Sequence, residues 1–218
     1  MKLRTRLLAA AFTLLMVSPA SALIVGVSTG LSTFGGTAAI ISAPANVGNS
    51  IPFNDAMQGF NEQQGFTLGA NLSVDGGFIA GGTVVDSHMI FLNKQDNTFG
   101  TLRHLGVIWE FDGIVLGTMS DTNGVLEAAS SGDLGATSTT YSVFNNRGFE
   151  GTDTLSFSTA FLTVSMNVTQ PGDWIRVITQ GTPSNISPVP VPAALPLFGT
   201  GLAIMGFVGW RRKRKASA

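Results

Sequence analysis

The chain has 218 residues, enough for one domain of ordinary size between two apolar ends, and it has no cysteine, which excludes disulfides, thiolate catalysis and cysteine-ligated zinc. Its formal net charge of -1 hides a segregation. Lys2, Arg4 and Arg6 open the chain and Arg211, Arg212, Lys213, Arg214 and Lys215 close it, so that only Lys94, Arg103, Arg147 and Arg176 accompany all 13 acidic residues in between, an acidic middle that argues against a nucleic-acid partner.

The first element is MKLRTRLLAAAFTLLMVSPASA, with a basic start, an apolar run from Leu7 to Val17 and the small-residue ending Ala20-Ser21-Ala22. This layout predicts a secretory signal peptide over residues 1–22, cut by signal peptidase after Ala22. The apolar run is too short to span a bilayer, which takes about 20 residues of helix. An exported protein is the expectation.

Residues 23–180 are rich in Gly, Ser, Thr and Asn and sustain no apolar pattern of helical period. Short apolar stretches predict strands at Leu23 to Val27, Ala38 to Ile41, Gly65 to Leu72, Phe78 to Ala80, Val84 to Leu92, Val125 to Ala128 and Thr139 to Phe144, with turns at Asp75-Gly76-Gly77 and Asn123-Gly124. Leu105, Val107, Trp109 and Phe111 alternate with His104, Gly106, Ile108 and Glu110, as a half-buried strand requires. Asp112-Gly113 follows, then Ile114-Val115-Leu116, which predicts a hairpin. A second hairpin is predicted from Phe161 to Thr169, through Gln170-Pro171-Gly172-Asp173, into Trp174 to Thr179. Many short strands at close spacing point to an all-β fold, a single β-sandwich or jelly-roll-like domain.

Candidate chemistry in this domain is sparse. Asp86-Ser87-His88 holds three catalytic residue types, but on a strand Ser87 faces away from the other two, leaving Asp86 and His88 as a pair on one face, a surface feature or a locally hydrogen-bonded pair. Glu110 and Asp112 share a face and invite a glycosidase reading, although Val115 stands where a third carboxylate of the laminarinase type would be needed. Asp121-Thr122-Asn123-Gly124 begins like a calcium loop without its further ligands, and an acidic, loop-rich domain leaves room for structural calcium. His88 and His104 are the only histidines, too few for a catalytic zinc site. The sequence therefore assigns no catalytic, cofactor or metal residues, and the domain reads as non-enzymatic. Exposure of Trp174 or Tyr141 would favour the alternative of a carbohydrate- or calcium-binding recognition module.

Residues 181–192 form a linker with four prolines that merges into the start of the last segment. Ala193 to Trp210 carries no charge and, at about 1.5 Å per residue, makes a helix just long enough to span a bilayer. Arg211, Arg212, Lys213, Arg214 and Lys215 then act as a cytoplasmic stop, placing the acidic domain on the far side. A plain type I membrane anchor accounts for the helix and the cations. It does not account for the paired prolines set directly before them.

Val189-Pro190-Val191-Pro192-Ala193, the apolar helix 193–210 and the basic tail 211–215 together resemble the PEP-CTERM sorting signal of Gram-negative exported proteins, in the variant written VPLPA, with Val191 in place of the leucine. The resemblance covers residues 189–215. It implies processing by an exosortase, which removes the helix, and delivery to the cell envelope or to an extracellular biofilm matrix. It also implies a structural or adhesive role in association with exopolysaccharide.

Overall fold

The computed structural model describes residues 22–48, 51–94, 100–169 and 172–181, all within one compact unit, Pro19–Ser184. The rest of the predicted signal peptide, including Ala20, the linker from residue 182, the sorting motif, the apolar stretch and the basic tail lie outside the described residues. Among the described residues no helix is long and apolar enough to cross a membrane.

The domain is mostly β-sheet with a single helix. In chain order the elements are β1 (Ile24–Val27), β2 (Leu31–Ser32), β3 (Ala39–Ile40), β4 (Asn46–Val47), β5 (Gln58–Asn61), β6 (Phe66–Thr67), β7 (Leu72–Val74) and β8 (Gly77–Ile79). They continue with β9 (Val84–Leu92), β10 (Leu102–Phe111), β11 (Val115–Met119), α1 (Val125–Leu134), β12 (Thr140–Tyr141), β13 (Thr154–Ser158), β14 (Phe161–Val168) and β15 (Asp173–Gln180).

Two sheets carry the fold. The first runs β1-β10-β14-β13, with β2 also on β10, and the second runs β11-β15-β9-β5-β3, with β6 also on β9. Trp109, Val107, Leu162, Val164 and Met166 of the first sheet meet Ile90, Leu92, Ile175 and Val177 of the second in one apolar cluster. Burial of such side chains stabilises by roughly 1.5–3 kcal/mol each, so this shared cluster is the main cohesive term.

The sheets differ on their other faces. In the first, β14 alternates between buried and part-exposed positions, and Val25, Ile108 and Phe161 on its far side are open to solvent. In the second, β15 is buried from Asp173 to Thr179 and β9 from Val85 to Leu92, because α1 and the segments around β4, β7, β8 and β12 cover the far side. Period-2 alternation is legible only where one face is wet.

Three expectations change. Asp112-Gly113 does not close a hairpin: β10 belongs to the first sheet and β11 to the second, so the turn carries the chain around an edge. The same holds for β14 and β15, and of that connection Gln170 and Pro171 lie outside the described residues. A local hairpin forms instead between β13 and β14, from Ser158↔Phe161 to Thr154↔Ser165. Val125 to Ala128 opens α1 rather than a strand, since Asp121 accepts the amide hydrogens of Val125 at 2.6 Å and Leu126 at 3.1 Å and so caps the first turn.

The third change concerns phase. A bulge between His104 and Val107, with Gly106 at φ 65, inserts an extra step into β10. Leu105 is thereby turned outward and His104 inward, while Val107, Trp109 and Phe111 keep the apolar face. Only a residue without Cβ takes that left-handed backbone cheaply.

Candidate functional site

The densest polar chemistry lies under the cover of the second sheet. Alternation along β15 sends Arg176 to the far face, where its Nε and Nη2 donate to the two oxygens of Glu62 at 2.7 and 2.8 Å. Its Nη1 donates to the Glu127 carbonyl at 3.0 Å and to the Ser130 hydroxyl at 2.8 Å. Glu62 also accepts from the Ser87 hydroxyl at 2.7 Å and from the Tyr141 hydroxyl at 2.6 Å. A forked guanidinium on a carboxylate whose remaining lone pairs are also filled is the arrangement in which a buried ion pair offsets its desolvation best. Burial pulls the Arg176 guanidinium down, but Glu62 outweighs it and the net shift is upward. Burial and Glu62 together push the Tyr141 phenol up, so it stays a donor.

A second ion pair lies beside the first. Arg147 Nη2 donates to Glu127 at 2.8 Å while its Nη1 reaches the carbonyls of Ser142 at 3.2 Å and Val143 at 3.3 Å. The guanidinium sits over the Trp174 ring at 4.6 Å, a cation–π contact within a sealed layer. Here the contact is one-pronged and Arg147 Nε has no hydrogen-bond partner. Burial accordingly raises the Glu127 carboxyl and lowers the Arg147 guanidinium, against the attraction between them. Both ion pairs are buried.

Of the residues singled out by sequence, Asp86, Ser87, His88 and His104 are brought into the interior, and not into one site. Asp86, Ser87 and His88 are all fully buried, which corrects the expectation of a surface pair. Ser87 does face away from its neighbours, onto Glu62. His88 Nδ1 donates to Asn61 Oδ1 at 2.8 Å and its Nε2 accepts from the Thr179 hydroxyl at 2.9 Å, because that amide oxygen can only accept. Burial lowers its pKa to about 3, which keeps the ring neutral. His104 Nδ1 accepts from the Met57 amide at 2.9 Å and Nε2 donates to the Thr29 carbonyl at 2.6 Å, and burial lowers its pKa as well. Both histidines serve as internal cross-links between strands and loops.

Glu110 and Asp112 are exposed, and Asp112 accepts the Leu23 amide hydrogen. Neither lines the cavity of ≈ 250 Å³ found between α1 and the β6–β7 segment, whose walls include Phe66, Leu68, Leu72, Leu126, Asp133 and Leu134. Trp174 is sealed, stacked on Phe91 at 4.2 Å, and Tyr141 is half-buried on Glu62, so neither offers a flat platform to a sugar. Asp121 caps α1 in place of opening a calcium loop. Among the described residues no three His, Asp or Glu side chains converge to hold a metal ion.

One buried acid has a carboxyl oxygen without a partner. Asp173 is 2 % exposed and its Oδ2 has no hydrogen-bond partner. Burial, reinforced by Asp153 and Glu150, pushes its carboxyl up to about 9, so it is protonated at neutral pH. The sequence signal for the buried arginines was present in their scarcity: an isolated charge inside an otherwise apolar strand, as in Trp174-Ile175-Arg176-Val177, is buried only with a partner. Compared with known proteins, the chain matches no protein-family model, no curated protein and no solved structure.

Proposed function

We propose that the chain is an exported β-sandwich protein of the cell envelope or extracellular matrix, delivered by a C-terminal signal of the exosortase type and serving a structural or adhesive role alongside exopolysaccharide. The observation that carries this reading is the three-part tail: Val189-Pro190-Val191-Pro192-Ala193, the uncharged run 193–210 and Arg211 to Lys215. The domain adds support of a different kind. Glu62, Glu127, Arg147, Arg176, His88 and His104 are all committed to internal contacts, which favours a domain whose polar residues hold it together over one that uses them on a substrate.

Deleting Val189 to Ala193 in the native host tests the sorting role. The deletion is expected to change the mature mass and to retain the protein in the inner membrane. Unchanged mass, release and localisation would leave a plain type I anchor as the reading.

A further inference from the structure

The start of the domain is held by two carboxylates. The Ala22 amide donates to Asp86 Oδ2 at 2.5 Å, the Leu23 amide donates to Asp112 Oδ1, and the Gly65 amide donates to the other oxygen of Asp86. Asp86 is fully buried on β9, whereas Asp112 lies at the exposed corner after β10. Burial raises the Asp86 carboxyl, the two amide donors lower it, and Asp112 raises it further, so the two acids feel each other. No ion pair among the described residues involves either of them. Among the described residues, the donors these two acids meet at one end of the domain are the neutral amides of Ala22, Leu23 and Gly65.

Leader removal changes that balance. Hydrolysis of the Ala22–Leu23 bond adds water across it, so the carboxylate leaves with the signal peptide and the Leu23 nitrogen becomes an ammonium. That nitrogen is already the donor to Asp112, and it lies one residue, about 3.3–3.6 Å of chain, from the nitrogen that serves Asp86. An ammonium has three protons where the amide had one. We propose that Asp86 and Asp112 form the seat of the processed N-terminus, so that signal-peptide cleavage supplies the cation that completes this corner of the fold. The proposal rests on the export reading above. Cleavage removes Ala22, which is 6 % exposed and packs where a Cβ on Gly113 would come within 2.6 Å of its methyl group, and the ammonium takes over its bond to Asp86.

The charged and titratable groups around this position are few. Asp86 and Asp112 face it directly, Glu110 lies next along β10 against Gly26, and His88 lies deeper on β9 and neutral. An ammonium between two carboxylates has its pKa raised above the ordinary α-amino value of about 7.7–8.0. A raised folded-state pKa gives stability that is full below the unfolded value and lost as pH rises through the folded value. Stability of the processed protein therefore falls with pH above about 8.

The experiment uses the protein as purified from the host envelope, with its N-terminus read by mass, and follows Tm from pH 6 to pH 10.5. Three forms are compared: the processed wild type, the processed Asp112→Asn variant, and an uncleaved form produced by Ala20→Lys, which blocks the small-residue cleavage motif. The wild type is expected to begin at Leu23 and to lose about 2–4 °C more than the other two across pH 8–10. Asp112 is exposed, so the asparagine variant folds and isolates the charge. A wild type that begins at Leu23 but matches D112N in its pH profile overturns the seat and leaves export standing. A chain that begins at Ser21 also overturns the seat, since the ammonium then forms away from Asp112. A chain that keeps Met1 overturns both readings.

Discussion

The two sheets solve the same burial problem with different chemistry. The first sheet has one dry face and one wet face, and its dry face is apolar from Trp109 and Val107 to Leu162, Val164 and Met166, with His104 as its buried polar residue. The second sheet is dry on both faces, and its far face mixes Trp174, Phe91 and Met89 with Arg176, Glu62 and Arg147. Apolar packing tolerates a lost methylene at a graded cost, whereas a charged layer fails abruptly when one partner is removed. Even within that layer the two ion pairs differ. Glu62–Arg176 is forked and fully hydrogen-bonded, while Glu127–Arg147 rests on one prong, with Arg147 Nε unpartnered.

The largest expected effect comes from breaking the forked pair. Arg176→Met leaves Glu62 charged in the interior and should cost about 3–5 kcal/mol in urea unfolding. Adding Glu62→Leu to that variant should recover most of the loss, because no charge is then stranded. A single variant no worse than an ordinary surface change would show that the layer is not a charged interior. Acid should act next. His88 has a folded pKa of about 3 against an ordinary 6.5, so the unfolded chain binds the proton first. Stability is then full above pH 6.5 and declines as pH falls towards 3, and a His88→Gln variant followed by Tm should show a flatter acid limb if it folds.

Asp173 titrates in the opposite sense. Its carboxyl is raised from 3.8 to about 9, so the folded state keeps a proton that the unfolded state has lost, and stability declines as pH rises between those values. Asp173→Asn removes that loss and should raise Tm at pH 8 by several degrees while changing little at pH 4. Equal Tm shifts at both pH values would mean that the carboxyl is not held protonated. The smallest effect belongs to the wet face of the first sheet: Ile108→Thr, 43 % exposed, should stay within about 0.5 kcal/mol of the wild type by chemical denaturation.

The same contrast explains what the sequence disclosed. β9 was legible from Val84 to Leu92, and the apolar face of β10 from Val107 to Phe111, because local composition and alternation report them. The hairpins at Asp112-Gly113 and after Thr169 were not, since a turn signal says that the chain reverses and not which sheet receives it. α1 was missed because its buried positions are Glu127, Ser130 and Leu134, two of them polar, so no apolar stripe marks it. The charged layer was least legible of all: Glu62 and Arg176 lie 114 residues apart, and no local pattern joins them. Asp86-Ser87-His88 misled for a related reason: Asp86 and His88 share the β9 face of Ile90 and Leu92 that meets the first sheet, with His88 against Phe111, and only Ser87 lies under the covering layer, on Glu62.

With the domain's buried polar residues spent on its own cohesion, the proposed role falls on where the protein is sent. Intact mass of the protein recovered from the envelope and the medium of the native host tests this most directly. The account predicts a chain that begins at Leu23 and ends upstream of the uncharged run 193–210, with Arg211 to Lys215 gone. A mature chain that still carries Arg211 to Lys215 would contradict it.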